Sequence, residues 1–388
     1  MPVYLDYAAT APLRSEVLEV YTRELQSLGN PSSIHSFGQK SRGKLEQARE
    51  SIARSLNCDR HEVIFTSGGT ESNNLAIKGL YLARRAADDR RRVLISAYTE
   101  HHAAIDPIEW LETHEGAEVI WLPVHENGQT NLDELERILV ARASEVALIS
   151  LMWVNNEVGV ITDIERVVAL ANEHGIPVHS DAVAAVGHIE VDFAKSGLET
   201  LAYSGHKLGA PIGTGALLVR RSSKPVSLLH GGGQERELRA GTVDFAGATA
   251  LAKATELAVA ELAEREDKLS VLQARLIEGI RAIAPDARLS GEGSARIADN
   301  VHFTFPGCAG DSMLYLLDAA GIAISNGSAC QAGVARSSHV LLAMGRSQAD
   351  ASGCIRITMG LGTSEADIQA FLDAFPAVHD KAKRAGIN

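Results

Sequence analysis

The feature that most constrains this chain is a strand-helix alternation running from residue 62 to residue 180. Glu62-Val-Ile-Phe-Thr66 reads as a buried strand, and a helical pattern follows over Asn73–Ala87. Val93–Ser96 is the next apolar run, followed by a helical pattern over Ala103–His114 and the run Val119–Leu122. Leu132–Val140 reads as helix, Val146–Leu151 as strand, Ile164–His174 as helix and Pro177–Ser180 as strand. Apolar runs spaced by amphipathic segments build an α/β domain around a mostly parallel sheet. In such sheets ligands collect beyond the carboxyl ends of the strands.

The 388 residues exceed one ordinary domain and suit a large domain with a smaller one. Ala246–Ile283 is rich in Ala, Glu, Leu and Arg, lacks proline, and reads as one or two helices leading into the second domain. That domain is expected to hold strand Asn300–Phe305, helix Ser312–Ala320, strands Ile322–Ile324 and Ile355–Thr358, and a last helix including Glu365–Phe375. The division expected is residues 14–258 for the large domain, with residues 1–13 and 259–388 forming the small one. The Ser325–Ser338 stretch is small, polar and glycine-containing, and is expected to be an exposed loop carrying Cys330.

Charge and cysteine usage exclude several classes. A net charge of −12 disfavours binding to a nucleic-acid backbone. No apolar run reaches the roughly 18 residues needed to span a bilayer, and the first residues lack the basic start and apolar core of a signal peptide. The four cysteines, at 58, 308, 330 and 354, form no Cys-x-x-Cys pair and no disulfide framework, which points to free thiols in a reducing cytoplasm.

Four segments sit where chemistry is expected. Ser67-Gly-Gly-Thr-Glu-Ser72 follows a strand and opens a helix, a pattern that suits either a phosphate held on helix amides or a tight turn with helix caps. Ser204-Gly-His-Lys207 follows the apolar run Leu201–Tyr203; a partly desolvated lysine there could form a Schiff base, or simply be solvated. Val178-His-Ser-Asp181 ends a strand 26 residues earlier. A buried carboxylate needs a partner, and a protonated pyridine nitrogen is one candidate, a capping role the other. Glu100-His101-His102 has no further metal ligand at a recognised spacing, so His101 reads as an imidazole that stacks or shuttles protons, or as a surface residue. Taken together, the four form a strand-end set far more specific than any one of them.

From end to end the chain resembles the cysteine desulfurases, a class V branch of the pyridoxal-phosphate (PLP) aminotransferase fold. The resemblance is carried by Tyr4-Leu-Asp-Tyr-Ala-Ala-Thr10, Gly29-Asn-Pro-Ser-Ser-Ile-His35, Thr66–Ser72, Asn155-Asn-Glu-Val-Gly159, Ser204–Lys207, Gly231-Gly-Gly-Gln-Glu-Arg236, Arg239-Ala-Gly-Thr242 and Gly327-Ser-Ala-Cys330. It implies a type I PLP-dependent transferase fold: a large, mostly parallel-sheet domain with a smaller α/β domain. It implies that Lys207 carries PLP, that Asp181 pairs with the ring nitrogen, and that His101 stacks on the ring. Gly69, Thr70, Ser204 and His206 match phosphate contacts. Thr242 matches a threonine that reaches the phosphate of the neighbouring subunit, hence a homodimer. Asn156 and Arg356 match the pair that holds the substrate carboxylate, for which a guanidinium fork is also chemically suited. Cys330 matches the sulfur acceptor. The implied reaction removes sulfur from L-cysteine, leaving L-alanine and a Cys330 persulfide. A sulfur-acceptor protein, an iron–sulfur scaffold or a tRNA-thiolation enzyme, would take the sulfur onward.

Three positions depart from the family pattern. Asp181-Ala-Val-Ala184 stands where Asp-Ala-x-Gln is common, so a contact to the PLP ring hydroxyl is lost or supplied by water or another side chain. Gly360-Leu-Gly-Thr363 lacks a basic and an aromatic residue after the first glycine, and Trp153 replaces a common histidine. The alternatives are a selenocysteine lyase, an aminotransferase, which needs no thiol at position 330, and a non-catalytic sulfur-trafficking partner, whose mark would be loss of Lys207 or Cys330.

Overall fold

The computed structural model describes residues 2–327 and 337–386. Its strands are β1 Val3–Tyr4, β2 Val63–Thr66, β3 Val93–Ala97, β4 Glu118–Leu122, β5 Val146–Ser150, β6 Val178–Asp181, β7 Thr200–Ser204, β8 Gly215–Val219, β9 Arg288–Leu289, β10 Asn300–Thr304, β11 Ile322–Ala323 and β12 Cys354–Thr358. Seven of them form one sheet in the order β2-β8-β7-β6-β5-β3-β4. The ladders from β7 through β6, β5 and β3 to β4 are all parallel, whereas β8 runs antiparallel to both its neighbours. The mostly parallel sheet is therefore present, closed on one side by an antiparallel pair.

Strand period explains how this sheet is buried on both faces. In β8, Ala216 and Leu218 belong to the main core while Leu217 and Val219 face a second cluster with Leu75 and Ala76. In β3, Val93, Ile95 and Ala97 point one way and Leu94 the other. Alternate residues need apolar cover on both sides, which gives continuous apolar runs rather than a polar-apolar alternation. Helices Ser15–Leu25, Ser36–Ser55 and Phe245–Ala260 pack on one another beside the sheet, while Gly69–Ala87 packs against β5 and β7 and against helix His102–Glu115.

The second body is a three-stranded antiparallel sheet, β12-β10-β9. It packs with helices Leu262–Ile283, Gly310–Ala319 and Glu365–Gly386 around a core that includes Leu272, Leu276, Phe303, Ile357, Phe371 and Phe375. The first residues of the chain join this core, not the first. Val3 and Leu5 are buried in it, and β1 pairs parallel with β11.

The elements depart from the sequence expectation in two informative places and decide an open reading, one helix or two, in a third. The helix expected from Asn73 begins at Gly69, because its first turn is polar and carries no apolar period to read. The long segment Ala246–Ile283 is two helices that meet at Glu261, whose carboxylate holds Arg14 at 2.7 Å. Strand β8 is not among the expected elements; Gly215-Ala-Leu-Leu-Val219 is apolar but short, and its antiparallel direction has no signal in the local sequence.

Candidate active site

The carboxyl ends of β2, β6 and β7 open onto a cleft of about 740 Å³. Gly69, Thr70, His101, Asn156, Asp181, Ser204, His206, Lys207 and Arg356 all line it, so residues up to 287 positions apart are brought to one site. Thr242 is the exception among the described residues. It is exposed and borders a smaller pocket shared with Ser67, Gly213 and Arg239. Cys330 lies outside the described residues.

Lys207 ends a single 3-10 turn after β7. Its ammonium donates to the carbonyl of Ala8 and, at 2.9 Å, to that of Ala9. Burial and then the neighbouring Arg356 charge pull its pKa down to about 8, against the opposing pull of Asp6 and Asp181. The amine is thereby available as a nucleophile or base far nearer neutrality than an ordinary lysine. Asp181, at the end of β6, accepts from Val183 N at 2.9 Å and from Asn73 Nδ2 at 2.6 Å.

His101 caps the helix that follows it. Its Nδ1 accepts from Ala103 N at 3.0 Å, so the ring carries its proton on Nε2, and burial lowers its pKa. Glu100, the residue before it, is fully buried, accepts from Met152 N at 2.7 Å, and is pushed well up in pKa by that burial. Burial thus biases both neighbours toward their uncharged forms, the imidazole by lowering its pKa and the carboxyl by raising it. His206 is brought down to about 4, by burial first and then by Lys207.

An anion and a pyridine ring fit this cleft. The helix Gly69–Ala87 opens on Gly68 with no side-chain cap, leaving its first amides for an acceptor. Gly68 has φ 148°, and a Cβ on Gly215 would stand 2.5 Å from the Gly68 Cα, so the turn is built for close backbone approach. Arg356 reaches in from β12. It donates to Asn156 O at 2.8 Å and to Asp6 Oδ1 at 3.0 Å, while its buried Nε has no partner among the described residues, a donor set suited to a carboxylate.

Residues 3–371 match the family described as aminotransferase class-V. The chain belongs to that family. It is 47% identical over 385 residues, 99% of this chain and 98% of the relative, to an IscS-like cysteine desulfurase of Mycobacterium tuberculosis. It is 41% identical to the cysteine desulfurase IscS of Dictyoglomus turgidum, across 98% of this chain and 95% of that one. A solved NifS-like protein superposes with a TM-score of 0.89 at 31% identity, over 98% of this chain and 99% of that chain. Another, described as SspA in complex with cysteine, gives 0.80 at 33% identity over 92% and 98%. Within the class-V aminotransferases this chain belongs to the cysteine desulfurase family and is a PLP-dependent enzyme of the type I fold.

In this class-V aminotransferase the segment Asp6–Thr10 is a part of the site that the sequence left without a role. Asp6 holds Arg356, Ala8 and Ala9 hold Lys207, and Thr10 Oγ1 lies 3.3 Å from His206 Nδ1. Tyr7 packs against Gly360, where a Cβ would come within 2.2 Å of its ring. Ala184 borders both the cleft and a smaller void of about 40 Å³. Trp153 is half-buried against the main core.

Proposed function

We propose that this enzyme removes sulfur from L-cysteine, giving L-alanine and a persulfide on Cys330. The observation that carries this reading is the meeting of Lys207, Asp181, His101 and Arg356 on one cleft, each with the chemistry its part requires. Gly69, Thr70, Ser204 and His206 would hold the cofactor phosphate, Asp181 the ring nitrogen, and His101 the ring face. Asn156 and Arg356 would take the substrate carboxylate.

PLP, when bound, supplies an electron sink that loosens the Cα–H bond of the amino acid joined to it. Arg356 fixes the carboxylate end of that amino acid and thereby aims its Cα. The Lys207 amine takes the Cα proton at Nζ, and a pKa of about 8 suits that task. The Cys330 thiolate attacks the substrate sulfur; the S–S bond forms as the Cβ–S bond breaks, and the carbon fragment takes up two protons, the one held on Lys207 and one equivalent to that lost from the Cys330 thiol, and leaves as alanine. Atoms balance: cysteine and one protein thiol become alanine and one persulfide.

Thr242 would complete the phosphate site of a second copy, which makes the working unit a homodimer. Its exposure outside the lysine cleft fits a residue used by a neighbour. The persulfide would pass to a scaffold for iron–sulfur clusters or to a tRNA-thiolation enzyme, in a reducing compartment such as the cytoplasm. Among the described residues no helix is long and apolar enough to cross a membrane.

The test is alanine formed from cysteine with a reductant present, together with a mass spectrum that locates the added sulfur. Cys330→Ser is expected to bind PLP and cysteine yet form essentially no alanine, because a hydroxyl is a far poorer nucleophile than a thiolate. Cys354→Ser is expected to stay active, since that thiol is buried, is pushed up to about 12 by burial, and already donates to Asn326 O. Undiminished alanine from Cys330→Ser, or a persulfide on Cys354, would overturn the assignment.

A further inference from the structure

His179 and Asp181 stand two residues apart on β6 and so face the same side of the sheet. Asn73, in the second turn of helix Gly69–Ala87, is fully buried against that side and touches both. Its Nδ2 donates to Asp181 Oδ2 at 2.6 Å, and its Oδ1 lies 3.0 Å from His179 Nε2. The other ring nitrogen, Nδ1, lies 2.9 Å from Thr200 Oγ1, on the β7 residue that pairs with His179 in the ladder. Thr200, His179 and Asn73 are fully buried; Asp181 and Asn73 border the cleft, while His179 and Thr200 lie behind them.

The order of donors in this chain is forced from one end. A carboxylate only accepts, so Asn73 must turn its NH₂ to Asp181 and its carbonyl oxygen to His179. His179 must then carry its proton on Nε2, which leaves Nδ1 to accept from the Thr200 hydroxyl. The imidazole is neutral throughout, in keeping with a pKa that burial brings down to about 3. Proton transfer onto Asp181 favours the reverse order: the Asn73 amide turned over, the other His179 tautomer, and the Thr200 hydroxyl rotated. Three buried groups, closely packed and fully partnered, must change together for that.

We propose that Asn73 and His179 are positioning residues that hold Asp181 as a correctly turned carboxylate, with Thr200 fixing the His179 tautomer. This rests on the reading of Asp181 as the partner of the cofactor ring nitrogen. The chain keeps negative charge under that nitrogen, and so sustains the electron sink, with His179 and Thr200 acting from outside the cleft and Asn73 from its border.

The test compares His179→Phe, His179→Gln, Thr200→Val and Asp181→Asn as purified PLP-loaded proteins. His179→Phe keeps a ring but removes both nitrogens. It is expected to retain bound PLP, to change the visible absorption of the cofactor in the direction that Asp181→Asn changes it, and to lower kcat about 10-fold with little change in KM for cysteine, the scale of other outer-shell partners. His179→Gln, whose amide can place an N–H near Nε2, is expected to recover part of kcat and of the spectrum. A merely structural defect would lower the melting temperature without moving the spectrum or separating kcat from KM. If His179→Phe does not fold, Thr200→Val carries the same comparison with a smaller shift in the same direction. Wild-type spectrum and kcat in the His179 and Thr200 variants, beside loss of both in Asp181→Asn, would refute the positioning role alone. Unchanged spectrum and rate in Asp181→Asn would instead remove the ring-nitrogen reading, and the proposal with it.

Discussion

The two walls of the cleft are built by different means. One wall is the carboxyl edge of the parallel ladder, where Asp181 and Lys207 each sit at or just after a strand end, backed by residues buried on both faces of the sheet. The other is Arg356, in the middle of an antiparallel strand of the second body, reached by the N-terminal segment through Asp6. The first wall is built on strands and the turns after them, with the carbonyls of Ala8 and Ala9 added at the Lys207 amine. The second needs residues 6, 156 and 356 to converge. Cofactor capture and substrate placement are therefore expected to be separable by mutation, because they rest on different sheets with different cores.

The largest separation is expected at Lys207. Lys207→Ala should lose the visible band of lysine-bound cofactor and lower kcat by at least about 10³-fold, the upper part of the range for a general base. Its fold should persist, since among the described residues Nζ hydrogen-bonds to the carbonyls of Ala8 and Ala9 alone. Absorbance and alanine formation on the same sample check this; a retained band would show that another amine carries the cofactor.

Arg356→Lys should break the other wall and leave the first. The single ammonium cannot reproduce the forked contact, and the loss of one or two charge-assisted hydrogen bonds should raise KM for cysteine about 10- to 100-fold. The cofactor spectrum without cysteine should match the wild type. A spectrum as disturbed as that of Lys207→Ala would mean that the two walls are not independent.

The same contrast explains what the sequence disclosed. The sheet wall was legible because each of its residues follows an apolar run of strand length, and position after a strand end is itself a chemical hint. The ladder expected over residues 62–180 is present, with helix starts displaced where the first turn is polar, as at Gly69. Strand β8 was not legible, because partner and direction are set by tertiary packing. On the other wall, a guanidinium at position 356 could be marked as a carboxylate binder, yet nothing local reveals that Asp6 lies 3.0 Å from it. Asn73 and His179 were invisible for a related reason. A buried asparagine and a strand histidine have no chemical signal until a helix is laid across the sheet face they share.

The smallest effect expected is at Asp6, which touches both walls at once. Its carboxylate is 3.0 Å from Arg356, and its charge raises the Lys207 pKa against burial and the Arg356 charge. Only the neutral amine of Lys207 can attack the cofactor carbonyl, so PLP uptake by the apoprotein should accelerate as pH rises, with a midpoint near the amine's value of about 8. Asp6→Asn keeps an oxygen that can accept from Arg356 but removes the negative charge. Loss of an anion favours the neutral amine, so the midpoint should move down, not up. Two partly buried charges at an effective dielectric constant of about 20 interact by a few kcal/mol at contact and much less at longer range, so a fraction of a pH unit is the scale expected. The same variant frees the guanidinium from a competing anion, so KM for cysteine should fall slightly or stay level. Stopped-flow absorbance of apoprotein mixed with PLP at several pH values measures the midpoint. A shift to higher pH, or a KM raised as far as in Arg356→Lys, would show that Asp6 acts by holding Arg356 in place and not through its charge.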